Sequence, residues 1–311
     1  VEVGRVLTRT TGYLETVTSH SLQPYRGCPL GRSLCGVGCY VQHSWYSTRG
    51  RPWGHFLDVR TNAAESFRRT APAERRWARR TRGAFSIFLS SSTEPFPPQE
   101  RRFHVTERVL EAMCDEPPDL LVVQSHSHRA ADFAGLFGRL RRRTELRVHL
   151  SIETDRDRLP GLPPPASSVE RRFDAARRLK AAGVPVVITV SPLLPVERPD
   201  AFFRRIADAA DAVVLDHFIG GDGSADGRRT RKTGLPTAMA AVDPRTADLG
   251  YRDAMREVAE RHMPGRVGIG VDGFAGRFPE RPTPAREAGE VLDDAVGAVP
   301  VNVPIRRSAL S

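Results

Sequence analysis

Three of the four cysteines in this 311-residue chain, Cys28, Cys35 and Cys39, fall within twelve residues, separated by six and then three residues. The glycines at 27, 31, 36 and 38 around them let the backbone curl until three sulfurs meet. Arg26 and Arg32 set positive charge beside those sulfurs. That favours the thiolate, the form that binds metal. Structural zinc normally takes four closed ligands, so a zinc site would need a fourth group such as His20, His43 or His55. Three thiolates also suit a cubane iron–sulfur cluster that keeps one iron open. Iron–sulfur, zinc and free thiols are the three readings of the loop.

Four cysteines, three of them clustered, do not make a disulfide framework. The expected compartment is therefore the reducing cytoplasm. No run of about 18 apolar residues is present, so no membrane span is expected. The N-terminal residues lack the pattern of a signal peptide. The net charge of +10 favours anionic partners, nucleic acid first. Nearly all of that basic charge is arginine, with Lys180 and Lys232 the lysines. A GC-rich genome produces the same excess, so charge alone does not decide the partner.

From about residue 84 the chain alternates short apolar runs with helical stretches. Strands are expected at Ala84 to Ser90, Leu120 to Gln124, Arg147 to Ile152, Val184 to Val190, Ala212 to Phe218 and Arg266 to Val271. Before them, residues 13 to 22 are β-prone, Phe56 to Arg60 reads as a strand and Ala63 to Arg69 as a helix. Helices are expected from about Gln99 to Met113, Ala130 to Arg142, Val169 to Ala182, Ala201 to Ala210 and Tyr251 to Arg261. The arginines at 75, 76, 79, 80 and 82 suit an exposed helix side. A Gly-rich loop spans 220 to 234, and 275 to 311 reads as an irregular tail. Fully apolar strands joined by helices imply a parallel sheet with right-handed crossovers. About six such units curl into a partial or full α/β barrel, and one domain is expected over 1–311 with its core at about 13–274. Sites in such barrels lie at the carboxyl ends of the strands.

The segment Gln-Pro-Tyr-Arg-Gly-Cys at 23–28, with Cys-Tyr-Val-Gln at 39–42, resembles the radical S-adenosylmethionine (SAM) superfamily, and within it the spore photoproduct lyase-like group. The usual family spacing is three then two residues, and this loop is longer. The resemblance covers roughly residues 20 to 235. It implies a parallel (β/α) partial barrel of the radical SAM type and a 4Fe-4S cluster on Cys28, Cys35 and Cys39. It further implies SAM as cofactor and an electron donor such as flavodoxin or ferredoxin. The reaction class is reductive cleavage of SAM to a 5′-deoxyadenosyl radical that abstracts a substrate hydrogen.

Under that resemblance the strand ends acquire roles. Ser92, Thr93 and Glu94 are acceptors for the SAM ammonium, though such residues also cap helices. Gln124 or His126 would reach the SAM carboxylate or the substrate. Glu153 would accept the ribose hydroxyls. Ser191 would bond the methionine carboxylate, and Leu193 would pack near adenine. Tyr40, Asp216 and His217 are the candidates on the substrate side, an Asp beside a His being able to orient the imidazole. A buried, satisfied pair is the plainer reading of the last two, and Asp272 is a further cavity candidate. The basic, flexible loop 227–233 would clamp phosphates or simply face solvent.

Spore photoproduct lyase carries a further cysteine after the equivalent repeat strand, where it returns a hydrogen atom to the product. The matching position here is Ser91, whose O–H bond is too strong for that role. The family tyrosine before the last cluster cysteine is Gly38, while the one after it is Tyr40. Cys114 falls in a helix, a structural place. Thymine-dimer reversal is therefore not expected. The substrate expectation is a nucleic acid or nucleotide, with a small metabolite or peptide as the enzymatic alternative. A zinc-stabilised nucleic-acid-binding module is the non-enzymatic one.

Overall fold

The computed structural model describes residues 1–278. Its strands in chain order are β1 (Leu7–Arg9), β2 (His20–Leu22), β3 (Tyr25–Arg26), β4 (Asp58–Val59), β5 (Ser86–Leu89), β6 (Leu120–Ser125), β7 (Glu145–Ser151), β8 (Val186–Val190), β9 (Ala212–Leu215) and β10 (Val267–Ile269). Eight of them form one sheet in the order β1-β2-β5-β6-β7-β8-β9-β10. The other two, β3 and β4, form a separate antiparallel ribbon. All pairings in the large sheet are parallel except β1 with β2 at one edge. The strand order follows the chain from β5 onward, as successive strand–helix units in one direction require. The expected parallel α/β partial barrel is thus the observed architecture.

Side-chain alternation along each strand separates two surfaces. Ile87, Leu89, Leu121, Val123, Val148, Leu150, Ile188 and Val213 point outward into the main core beneath the helices. Phe88, Val122, Val187 and Val214 point to the concave side, where Phe274 covers them. Further along the same strands, the concave side turns polar at Gln124, Ser151, Thr189, Ser191 and Asp216, at or just past the carboxyl ends. The open side of the barrel is closed by the turn at Gly12–Thr16 and the short helix Gly270–Phe274, whose Tyr13 and Phe274 rings meet edge to face at 6.3 Å.

Several expected boundaries move. The helix expected at 63–69 continues to Arg82, so it includes the arginine run and carries Pro72 inside it. The helix expected at 99–113 breaks at His104, which takes a left-handed conformation between Glu100–Phe103 and Val105–Asp115. The last strand ends at Ile269, because Gly270, at φ 50°, turns the chain into a helix. The helix Leu235–Val242 lies between the expected loop and the last expected helix, where no element was assigned. Of the irregular tail, residues 279–311 lie outside the described residues. Among the described residues no helix is long and apolar enough to cross a membrane.

Candidate active site

The cysteine loop folds because glycines permit backbone to lie on backbone. A Cβ at Gly36 would come within 2.1 Å of Gly31 Cα, and one at Gly31 within 2.2 Å of Gly54 Cα. No side chain fits at either crossing. The loop so formed places Cys28, Cys35 and Cys39 together on one cavity of about 740 Å³ at the carboxyl ends of the strands. Burial, then the neighbouring Cys35, pushes the Cys28 thiol up to about 12. Burial and the same neighbour raise Cys39 as well. Three thiols lining one cavity favour ionisation only if a cation enters among them. Among the described residues no group of three His, Cys, Asp or Glu side chains closes into a ready-made metal cage. Cys114, by contrast, packs partly buried against the outer core.

The remaining wall holds polar atoms without partners. Thr93 Oγ1, Ser90 Oγ, Gln124 Oε1 and Arg172 Nε and Nη2 are buried and unpaired, and all four residues line the cavity. Ser90, at the end of β5, is also held at φ 69°, a conformation rare outside glycine. The Gln124 amide is fixed by donating to Ser151 Oγ at 2.8 Å and Thr189 Oγ1 at 3.1 Å, so its carbonyl is the free end. Such an array suits a polar ligand beside the three sulfurs, since unpaired buried donors and acceptors are rare in a finished interior. The residues present therefore fit a cluster-and-SAM site.

Glu153 is the hub of this wall. Arg172 Nη1 donates to it at 2.5 Å, and His126 Nδ1 lies 2.8 Å from its other oxygen. Burial would raise Glu153, but Arg172 and His126 outweigh it and hold the carboxyl at about 2. Burial likewise opposes charge on His126, yet Cys35 and Glu153 on either side raise it well above the ordinary value. Glu94 also lines the cavity, but its oxygens already accept from Phe96 N, Ser125 Oγ and His126 N at 2.7–2.9 Å. It ties the loop after β5 to the end of β6. Ser92 and Thr93 line the cavity beside it.

Across the cavity stand Tyr40, Asp216 and Ser191. Ser191 Oγ donates to Asp216 at 2.9 Å, and a Cβ at Gly221 would come within 2.5 Å of the Asp216 oxygens. Burial pushes the Asp216 carboxyl up to about 7. The Tyr13 hydroxyl, buried on the same wall, influences Asp216 without an aligned hydrogen bond. Burial, with Asp216 and Tyr40 nearby, raises the Tyr13 phenol.

Two expected site residues are not on the cavity. Leu193 is fully buried in the main core, and its neighbour Leu194 faces the cavity instead. His217 is sealed away, with Nε2 3.0 Å from the Thr246 carbonyl and Nδ1 accepting from Ile219 N. It caps a turn rather than pairing with Asp216. Asp272 does not line the cavity either and binds Arg277. Of the histidines weighed as zinc ligands, His43 lines the cavity, His20 is buried against Ser19 and Glu74, and His55 stands exposed against Arg32.

The loop expected to be flexible is organised around buried Asp222, whose carboxylate accepts from Ser224 N at 2.9 Å and Thr230 N at 2.7 Å. It presents Arg228, Arg229 and Lys232 to the cavity mouth.

Solved structures of spore photoproduct lyase share this arrangement of elements. A variant with bound AdoMet and dinucleoside spore photoproduct matches at TM-score 0.55 and 15% identity, over 81% of this chain and 76% of that one. A second variant matches at TM-score 0.56 and 14% identity, over 86% and 88%. The chain has the spore photoproduct lyase fold. No family model and no curated protein matches the sequence. On the lyase fold the cavity lies at the carboxyl ends of the sheet, where the three cysteines converge. Arg172 and Tyr13 are the residues that the sequence reading missed. Arg172 did leave a signal. It occupies the core-facing stripe of its helix with Val169, Phe173, Ala176 and Leu179, a position an unpaired arginine avoids.

Proposed function

We propose that this chain is a radical SAM enzyme. Cys28, Cys35 and Cys39 are the residues to hold a 4Fe-4S cluster, and the unpaired polar wall is the place for SAM. When bound, the cluster supplies the electron that breaks a carbon–sulfur bond of SAM and yields a 5′-deoxyadenosyl radical. The chain's own residues bind and orient. Ser92 and Thr93 offer hydroxyl oxygens to the SAM ammonium, a role Glu94 is too occupied to lead. The free Nη2 of Arg172 suits the SAM carboxylate. Glu153, kept ionised by Arg172 and His126, retains one acceptor direction on each oxygen for ribose hydroxyls. Asp216 with Ser191 faces the substrate side as a carboxyl that exchanges its proton near neutrality.

The cations at the mouth favour an anionic substrate, a nucleic acid or nucleotide, over a neutral metabolite or a peptide. The observation that carries the reading is that three cysteines and residues bearing seven unpaired buried polar atoms line one cavity. Anaerobic reconstitution with iron and sulfide, then dithionite and SAM, tests it. About four irons per chain and 5′-deoxyadenosine above the protein-free control are expected. One zinc and no iron, or a loaded cluster that leaves SAM intact, would overturn it.

A further inference from the structure

The short helix Trp45–Thr48 begins six residues after Cys39 and has two unlike sides. Ser44 and Ser47 line the cavity, and Thr48 is buried. Trp45 and Tyr46 point the other way and are 69% and 66% exposed. Arg49, exposed beyond the helix, lays its guanidinium over the Tyr46 ring at 5.2 Å. Among the described residues Arg49 has no carboxylate partner. The stretch 16–58 around it contains four arginines and a single acid, Asp58, which pairs with Arg26 and Arg51 and leaves Arg32 and Arg49 as its uncompensated cations.

Two large aromatics and an arginine, exposed together on a cationic surface, are the residue types that anchor protein interfaces. We propose that Trp45, Tyr46 and Arg49 form the docking face for an acidic redox protein carrying a reduced flavin or iron–sulfur group. This rests on the radical SAM reading, which requires one electron from outside. The partner's reduced group loses that electron, and the centre held by the cysteines gains it. An electron crosses protein and needs nearness to the cysteine loop, whereas a substrate must enter the cavity. The aromatic pair is close to the loop in sequence and turned away from the cavity, so it suits the first need and not the second. Two aromatics and one arginine suit the weak, salt-sensitive complex typical of electron-transfer pairs.

The test uses a purified acidic flavodoxin and the anaerobically reconstituted full chain. Two variants are compared with the unaltered protein, Trp45→Ala combined with Tyr46→Ala, and Arg49→Glu. The expected result is flavodoxin affinity lowered by about tenfold or more in both. Flavodoxin-driven 5′-deoxyadenosine formation falls alongside it, while dithionite-driven formation stays within about twofold of the unaltered chain. Unchanged flavodoxin affinity overturns the proposal. So does equal loss under both reductants, which would give these residues to the fold. Weakened binding of a single-stranded oligonucleotide with flavodoxin unaffected would assign the face to nucleic acid instead. If dithionite and SAM give no product with the unaltered chain, the radical SAM reading itself has failed. If they do and flavodoxin is indifferent to the variants, only the docking face has.

Discussion

Arg172 donates from its helix to Glu153 at 2.5 Å and to the Ser151 carbonyl at 2.7 Å, with both side chains sealed from solvent. Removing the guanidinium leaves a buried carboxylate with only His126 beside it. Arg172→Ala is therefore expected to lose ~3–5 kcal/mol of folding stability, read by denaturant unfolding. Glu153→Gln with Arg172→Met should recover part of the loss, since it removes both charges. A single Arg172→Ala that unfolds like the unaltered chain would contradict the pairing.

The glycine crossing under the cysteines gives a local prediction. Gly36→Ala drives a Cβ to 2.1 Å from Gly31 Cα, so the loop must open. Iron retained after reconstitution should fall to near background, while far-ultraviolet circular dichroism keeps the α/β signature of the sheet. Retention of full iron would show that the loop folds another way.

Cysteine substitutions should divide three to one. Cys28→Ala, Cys35→Ala and Cys39→Ala each remove one of the converging sulfurs, and each should lose iron and the cluster's visible absorbance. Cys114→Ala, on the outer core, should keep both. Iron analysis with absorbance spectra of the four variants checks this.

Asp216 makes folding pH-dependent. An unfolded chain releases such a proton near 3.8, but the buried carboxyl holds it to about 7. Between those values the folded state carries the extra proton. The contribution is fully present below the lower value and is lost as pH rises through the upper one. Asp216→Asn has no proton to lose. The stability of the unaltered chain relative to this variant should decline across that window and level off above about pH 8. A difference that stays constant with pH would mean that Asp216 is ionised throughout.

The basic mouth predicts a salt slope. With Arg228, Arg229 and Lys232 replaced by Ala, the dependence of oligonucleotide affinity on salt should flatten by about one unit of slope for each phosphate the loop no longer neutralises. An unchanged slope would remove this loop from the interface.

The legible part of this molecule was the part whose residues have one use. Runs such as Leu121–Val122–Val123 and Val186–Val187–Ile188 are apolar on both faces, which only a covered parallel strand accommodates. Three close cysteines likewise have few employments. What the sequence hid depends on distance across the chain. Glu94 had the chemistry of an ammonium acceptor, and only the fold shows that Ser125 and His126, about thirty residues on, already occupy it. Leu193 and Leu194 are chemically alike, and the turn after β8 decides which one meets the cavity. His217 followed Asp216 in sequence, but consecutive residues at a strand end diverge, so the pair never formed.

The concave side of the sheet runs from greasy to wet along the same few strands, so tolerance to change is unequal from one end to the other. Replacing Phe88 or Val214 opens the apolar cluster that Phe274 covers. Exchanging the terminal residues at 124 or 191 changes the polar face that the chamber presents. New specificities can thus accumulate at one rim while the scaffold beneath stays untouched.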